Sequence, residues 1–188
     1  MQVIHHKHRS GGGEGFSLIE VVVALAVVSV GLLGFSKAIL DAMVLNQTNK
    51  ESGIARRAAQ GILADIEGTA FDEVFARYNE TVADDIGAGD HLLGVFPVEG
   101  LRLRDDDADG FAGEIVFPDA FSLGGQLELR EDFDDASFGM PRDLNLDGVV
   151  DGDDHSADYK LLPVLVRVSW QGRAGASKVE FRTVLIEQ

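Results

Sequence analysis

From Phe16 to Ser36 the chain runs for 21 residues with a single charged side chain, Glu20. In a helix, roughly 20 apolar residues at about 1.5 Å rise cross the hydrocarbon core of a bilayer, and a helix apolar on every side is not the pattern of a soluble surface helix. Beyond Lys37 the pattern changes without breaking. Ile54, Ala55, Ala58, Ala59, Ile62 and Ile66 recur at spacings of three and four, against Lys50, Glu51, Arg56, Arg57, Gln60, Asp65 and Glu67, which predicts an amphipathic continuation of the same helix. Such a helix, from Phe16 to about Glu67, would be roughly 75 Å long. Its first half (16–40) suits lipid or the packed core of an assembly, and its second half (41–67) suits a sheet. Gly31, Gly34, Gly53 and Gly61 each cost about 1 kcal/mol relative to Ala in a helix interior, which fits either close helix packing or the ordinary flexibility of a membrane helix.

Gly68 is a stop signal, and Thr69 with Asp72 has the capping-box spacing for a short helix carrying Phe71, Val74 and Phe75 to about Tyr78. Asn79 to Asp90 is polar with Gly87 and Gly89 and reads as a loop. Strand-like runs follow at Leu92–Val98, Leu101–Arg104, Gly113–Phe117 and Gln126–Arg130, with Pro97 and Pro118 marking edges or strand ends. Val164, Val166, Val168 and Trp170 then alternate, a Gly-containing turn runs from Gln171 to Ser177, and Val179 and Phe181 alternate again before Val184 to Ile186. This is the pattern of a β-hairpin. The predicted class is α+β, with a long N-terminal helix packed on a C-terminal antiparallel sheet in a head spanning 68–188.

Glu20 sharpens the reading. A carboxylate inside hydrocarbon costs ~2.5 to 3.5 kcal/mol, and no cation stands near it in the run. If the chain were cut before Phe16, the new amine would lie about one helical turn from that carboxylate. At Gly15, Phe16, Ser17, Leu18, Ile19 and Glu20 the sequence resembles the type IV pilin superfamily, whose precursors carry a short polar leader ending in Gly, then Phe-Ser/Thr-Leu-x-Glu and a long apolar helix. The resemblance implies a leader of 1–15 and cleavage between Gly15 and Phe16 by a membrane prepilin peptidase. It further implies N-methylation of Phe16 and pairing of Glu20 with the Phe16 amine of a neighbouring subunit. On the same footing it implies a single-pass inner-membrane protein whose head faces the periplasm and which then enters a pilus at the cell surface, with other pilins as partners. The Gly-Leu-Leu-Gly at 31–34 and the Val-x-Val-x-Trp strand look like the V-class minor pilins, also called type IV pilus modification proteins. The pseudopilins of type II secretion are similar in the same features. An ordinary secretory signal or a lone signal anchor is the competing reading of the N-terminus. Met1 to Gly15, with Lys7 and Arg9, reads as a polar leader held on the cytoplasmic side by positive charge, and His5, His6 and His8 belong to that leader rather than to a metal cluster.

Composition narrows the function. Removal of the leader would leave 173 residues, with about 120 beyond the helix, enough for one modest domain. The formal charge of −16, from 32 acidic and 16 basic residues, repels phosphates, so a nucleic-acid surface is not suggested. Cysteine is absent, which removes disulfides and thiolate metal sites. No nucleophile elbow, zinc-protease motif or phosphate-binding glycine loop is present, and an enzyme is not expected.

One acidic stretch carries specific chemistry. Asp143, Asn145, Asp147, Asp151 and Asp154 occupy the first, third, fifth, ninth and twelfth positions of a twelve-residue run, with Gly148 sixth, which is the pattern of a calcium loop. Asp143, Asn145 and Asp147 would supply side-chain oxygens, Val149 its carbonyl, Asp151 a direct or water-mediated contact, and Asp154 the closing carboxylate, giving Ca2+ the six to eight oxygens it takes. Asp154 stands where an EF-hand has Glu, and Gly139 and Pro141 leave little room for an incoming helix, so the run looks more like a dockerin-type loop. Asp105, Asp107, Asp109 and Gly110 repeat the first half of the pattern, but Val116 holds the closing position and Glu114 would have to substitute. That stretch reads as an acidic turn in preference to a second site, and His155 is expected to be exposed. The expected function is therefore a structural subunit, a minor pilin with a calcium-stiffened head. A type II secretion pseudopilin and an uncleaved, membrane-anchored calcium-dependent binding module are the alternatives.

Overall fold

The structure is a computed structural model that describes residues 15–81, 94–136, 138–173 and 175–187. The leader up to residue 14, most of the loop expected from Asn79 to Asp90, and Leu92 at the start of an expected strand lie outside the described residues.

Helix α1 (Leu18–Glu67) is one unbroken element of 50 residues. Its part up to Met43 belongs to a unit separate from the rest of the chain. Within it the apolar side chains are exposed, and the helix contains an 18-residue window of mean hydropathy 2.6, long and apolar enough to cross a membrane. The Ser29 hydroxyl donates to the Leu25 carbonyl, and Lys37 pairs with Asp41 one turn on.

The second unit begins at Val44. Here the helix buries Ala55, Ala59 and Ile66, on the apolar face that the spacing predicts, and with them Glu51, which the spacing sets among the charged neighbours and which is buried because its carboxylate faces the Trp170 indole N–H. The helix stops at Gly68, whose N–H still reaches the Ala64 carbonyl. Helix α2 (Phe71–Tyr78) buries Val74, Phe75 and Tyr78. The expected cap is not formed, because the Thr69 hydroxyl instead donates to the Asp65 carbonyl and closes α1. Ala70 takes the N-cap position without a side-chain bond, and Asp72 and Glu73 complement the helix dipole in the first turn.

Strands β1 (Val95–Phe96), β2 (Gly113–Val116), β5 (Leu161–Gly172) and β6 (Gly175–Ile186) form an antiparallel sheet in the order β1-β2-β5-β6, and β3 (Asp119–Phe121) pairs with β4 (Leu127–Leu129) in a separate ribbon. Along β5, Leu162, Val164, Val166, Val168 and Trp170 are buried. Their partners Leu185, Thr183, Phe181, Val179 and Ser177 carry the same face onto β6. Phe75 meets Phe117 edge-on at 5.4 Å, and the Tyr159 hydroxyl donates to the Phe71 carbonyl at 2.6 Å, which ties α2 into this core.

Three expected elements differ. Leu101–Arg104 is not a strand: its backbone lends the Arg102 carbonyl to Gln171, while Arg102 and Arg104 turn back onto Asp105 and Asp106. β1 stops at Phe96 because Pro97 has no N–H to continue a ladder. The turn expected across 171–177 shrinks to the two residues between Gly172 and Gly175, since Gly175, at φ 123°, lets the ladder close there.

Candidate metal centre

The run from Asp143 to Asp154 folds as a chain of short side-chain-to-backbone turns. Asp143 accepts the N–H of Asp147 on Oδ1 and that of Gly148 on Oδ2, at 3.2 and 2.8 Å. Asn145 Oδ1 accepts the Asp147 N–H, Asp147 Oδ1 the Val149 N–H, and Asp151 Oδ1 the Asp153 N–H. Asp and Asn favour such turns because their short acceptors reach the backbone two residues on. Gly148 has φ 93°, a left-handed conformation that glycine adopts without a Cβ penalty. These contacts use only part of each carboxylate's acceptor capacity.

The loop is laid against the segment that leaves β4. The Leu129 carbonyl accepts the His155 N–H, the Arg142 N–H donates to the Glu131 carbonyl, and the Asp132 N–H donates to the Asp151 carbonyl. Asp154, the expected closing ligand, receives the N–H groups of Leu129 and Ser156 on Oδ1 and the Ser156 hydroxyl on Oδ2. Asp154 thus fastens the loop to β4 and caps the turn that follows.

Glu131 is at the centre of this arrangement and is fully buried, with 0% exposure. Its Oε1 accepts the N–H groups of Leu144 and Asn145, and its Oε2 lies 3.4 Å from the Asp151 nitrogen. His155 sits against it and is 5% exposed, which corrects the expectation of an exposed side chain. Its Nε2 is 3.1 Å from Asp151 Oδ1 and 3.8 Å from Glu131 Oε2, and its Nδ1 is 3.1 Å from Asp158 Oδ1. Burial pulls the imidazole pKa down, but the hydrogen bonds to Asp151 and Asp158 and the charge of Glu131 outweigh it and leave it raised. Asp151 is held below the ordinary carboxylate range, chiefly by the Asp153 N–H and next by His155.

Among the described residues, Glu131, Asp151 and His155 bring one ligand atom each within 4.8 Å of one another. Of the predicted ligands, Asp151 belongs to this group, whereas Asp143, Asp147 and Asp154 are outside it. The sequence reading missed Glu131, which is remote from the loop in the chain. Its signal was the alternation Leu127, Leu129, Glu131, which puts it on the buried side with Leu129.

The second acidic stretch has no such arrangement. Asp105 pairs with Arg102 and Asp106 with Arg104, while Asp107 and Asp109 accept the N–H groups of Gly110 and Phe111. Glu114 is taken by Arg167, which also binds Glu180 across the sheet.

At the other end of the chain, Gly15 and Phe16 are exposed and precede the helix, and Glu20 lies in its first turn. A carboxylate there complements the positive end of the helix dipole. Residues 14–36 match the family model of the prokaryotic N-terminal methylation motif. No curated protein and no solved structure matches the chain. With Gly15, Phe16 and Glu20 inside the matched segment and a long α-helix followed by an antiparallel sheet behind it, the chain carries the prepilin motif of the type IV pilin superfamily in a pilin-like α+β fold.

Proposed function

We propose that this protein is a minor pilin of a type IV pilus, a structural subunit that takes part in initiating or decorating the filament. The observation that carries the proposal is the methylation motif at 14–36 leading directly into a helix of 50 residues. In this reading, prepilin peptidase removes the leader after Gly15 and Phe16 is methylated. Glu20 pairs with the Phe16 amine of the next subunit, which compensates a carboxylate that would otherwise stand alone in an apolar environment. The apolar side chains up to Met43 then contact other pilins or lipid, and the head from residue 68 faces the periplasm and later the outside. The same motif serves type II secretion pseudopilins, and neighbouring genes separate the two.

The head, in the same proposal, holds Ca2+ through Asp143, Asn145, Asp147, the Val149 carbonyl, Asp151 and Asp154. The all-oxygen donor set suits a hard cation, and the left-handed Gly148 and the turn-forming carboxylates support the loop geometry. Bound calcium would neutralise carboxylates that otherwise repel one another.

Mass spectrometry of the mature N-terminus tests the processing step: a chain beginning at methylated Phe16 supports it, and an intact leader in cells with active prepilin peptidase defeats it. Glu20→Ala should be processed and remain in the membrane but be missing from filaments; normal incorporation would refute the pairing. A ligand that binds only the native state at a concentration 100 times its Kd stabilises by about 2.7 kcal/mol. Unfolding should therefore shift upward between chelator and saturating calcium, and Asp147→Ala should abolish the shift.

A further inference from the structure

We infer that Glu131, from outside the twelve-residue loop, is a positioning residue that assembles the calcium loop before an ion arrives. This rests on the calcium reading above.

Three observations carry it. First, one carboxylate spans the loop. Oε1 holds the second and third positions through the Leu144 and Asn145 N–H groups, and Oε2 faces the ninth through the Asp151 N–H. Second, the burial of Glu131 is complete and the groups that face it are backbone donors and His155. A buried carboxylate is costly unless its acceptors are filled, so the loop must close around it for the head to fold. Third, the contacts extend along the backbone on both sides, from Arg142 N–H on the Glu131 carbonyl to Asp132 N–H on the Asp151 carbonyl. The loop is thus templated by residues 129–132. His155 completes the assembly by linking Asp151 to Asp158, which in turn receives the Asn145 amide at 3.2 Å. Calcium then meets oxygens that are already gathered, and less of its binding energy is consumed in ordering the chain.

Two substitutions separate this role from direct ligation. Glu131→Gln keeps the reach and an amide oxygen for Leu144 and Asn145 while removing the charge, and gives up only the longer 3.4 Å contact, where its NH2 group would face the Asp151 N–H. Glu131→Asp keeps the charge and shortens the side chain, so that it cannot hold the loop at both places. Calcium would be titrated calorimetrically into the full chain in detergent, with fluorescence of the buried Trp170 confirming the fold, and amide exchange would be followed without the ion. Glu131→Gln should bind more tightly than Glu131→Asp and keep amide protection at Leu144 and Asn145, losing it at Asp151 alone. Glu131→Asp should bind about 10-fold to 100-fold more weakly than the unmodified protein, the cost of losing an outer-shell positioning group, and should lose amide protection at Leu144, Asn145 and Asp151 without calcium. The opposite order, with Asp tolerated and Gln damaging, would overturn the inference and make Glu131 a ligand. Equal binding by both variants would overturn it as well. Absence of binding by the unmodified protein is a separate result, which removes the calcium reading and this inference together.

Discussion

Substitution of Gly113 by Ala tests how the short strand β1 is held. Gly113 pairs with Phe96 on one side and Val168 on the other. A Cβ built on it falls onto the Cδ2, Cε2 and Cζ atoms of the Phe96 ring, which is itself only 3% exposed. The backbone of Gly113 is not in the left-handed region, so alanine meets no conformational objection and the whole effect is steric. If the ring is driven out, about 1.5 to 3 kcal/mol of burial is lost. If it stays and its neighbours shift, overpacking costs about 1 to 3 kcal/mol. Replacing Gly stiffens the unfolded chain and returns about 0.4 to 1 kcal/mol, which leaves a net destabilisation of about 1.5 kcal/mol. Urea unfolding of the full chain in detergent, followed by the fluorescence of the one tryptophan, Trp170, reads this directly. The control is the same substitution in a Phe96→Ala background, where the clash is absent and Gly113→Ala should cost nothing. A loss below about 0.5 kcal/mol with Phe96 present, or an equal loss without it, would refute the argument because the coupling between contacting residues would be missing.

Two further tests probe titration and a buried polar contact. Asp119 is pushed up to about 7 by burial and by the nearby charge of Glu80. Since an unfolded Asp titrates near ~3.9, the folded state binds the extra proton between those values. The stability from this group is full below about pH 4 and is lost as pH rises through about 7, so Asp119→Asn should flatten the pH dependence of unfolding in that window, and an unchanged slope would be decisive against it. Glu51 is buried on α1, where its carboxylate faces the Trp170 indole N–H at 3.3 Å and the Gln47 amide at 2.8 Å. Glu51→Ala should cost about 1 to 3 kcal/mol by stranding those donors, and Glu51→Gln much less; equal thermal unfolding shifts for the two variants would remove the hydrogen bond from the account.

What was legible in the sequence was what repeats. The amphipathic half of α1 shows because Ala55, Ala59 and Ile66 keep the period of a helix against charged neighbours. The β5–β6 hairpin shows because valines and Trp170 keep the period of a strand. Where the reading of the fold went astray, short-range chemistry was overridden by partners from elsewhere. Thr69 has cap spacing but finds the Asp65 carbonyl, and Arg102 and Arg104 alternate as in a strand but are drawn to Asp105 and Asp106. Gln171–Ser177 has turn composition, yet most of it pairs because β5 supplies acceptors and donors at the right register.

By itself the sequence determined the prepilin motif, the all-apolar helix that follows it, the amphipathic face and the pattern of oxygen donors from Asp143 to Asp154, because each depends on residue type at fixed local spacing. Only the tertiary structure decided that Glu131 lies under that loop, that His155 is buried between Asp151 and Asp158, and that Asp154 is fastened to Leu129. Those contacts join residues as far as 25 apart in the chain. No local pattern encodes them, since the free energy that sets them comes from burying a carboxylate and filling its acceptors at the same time.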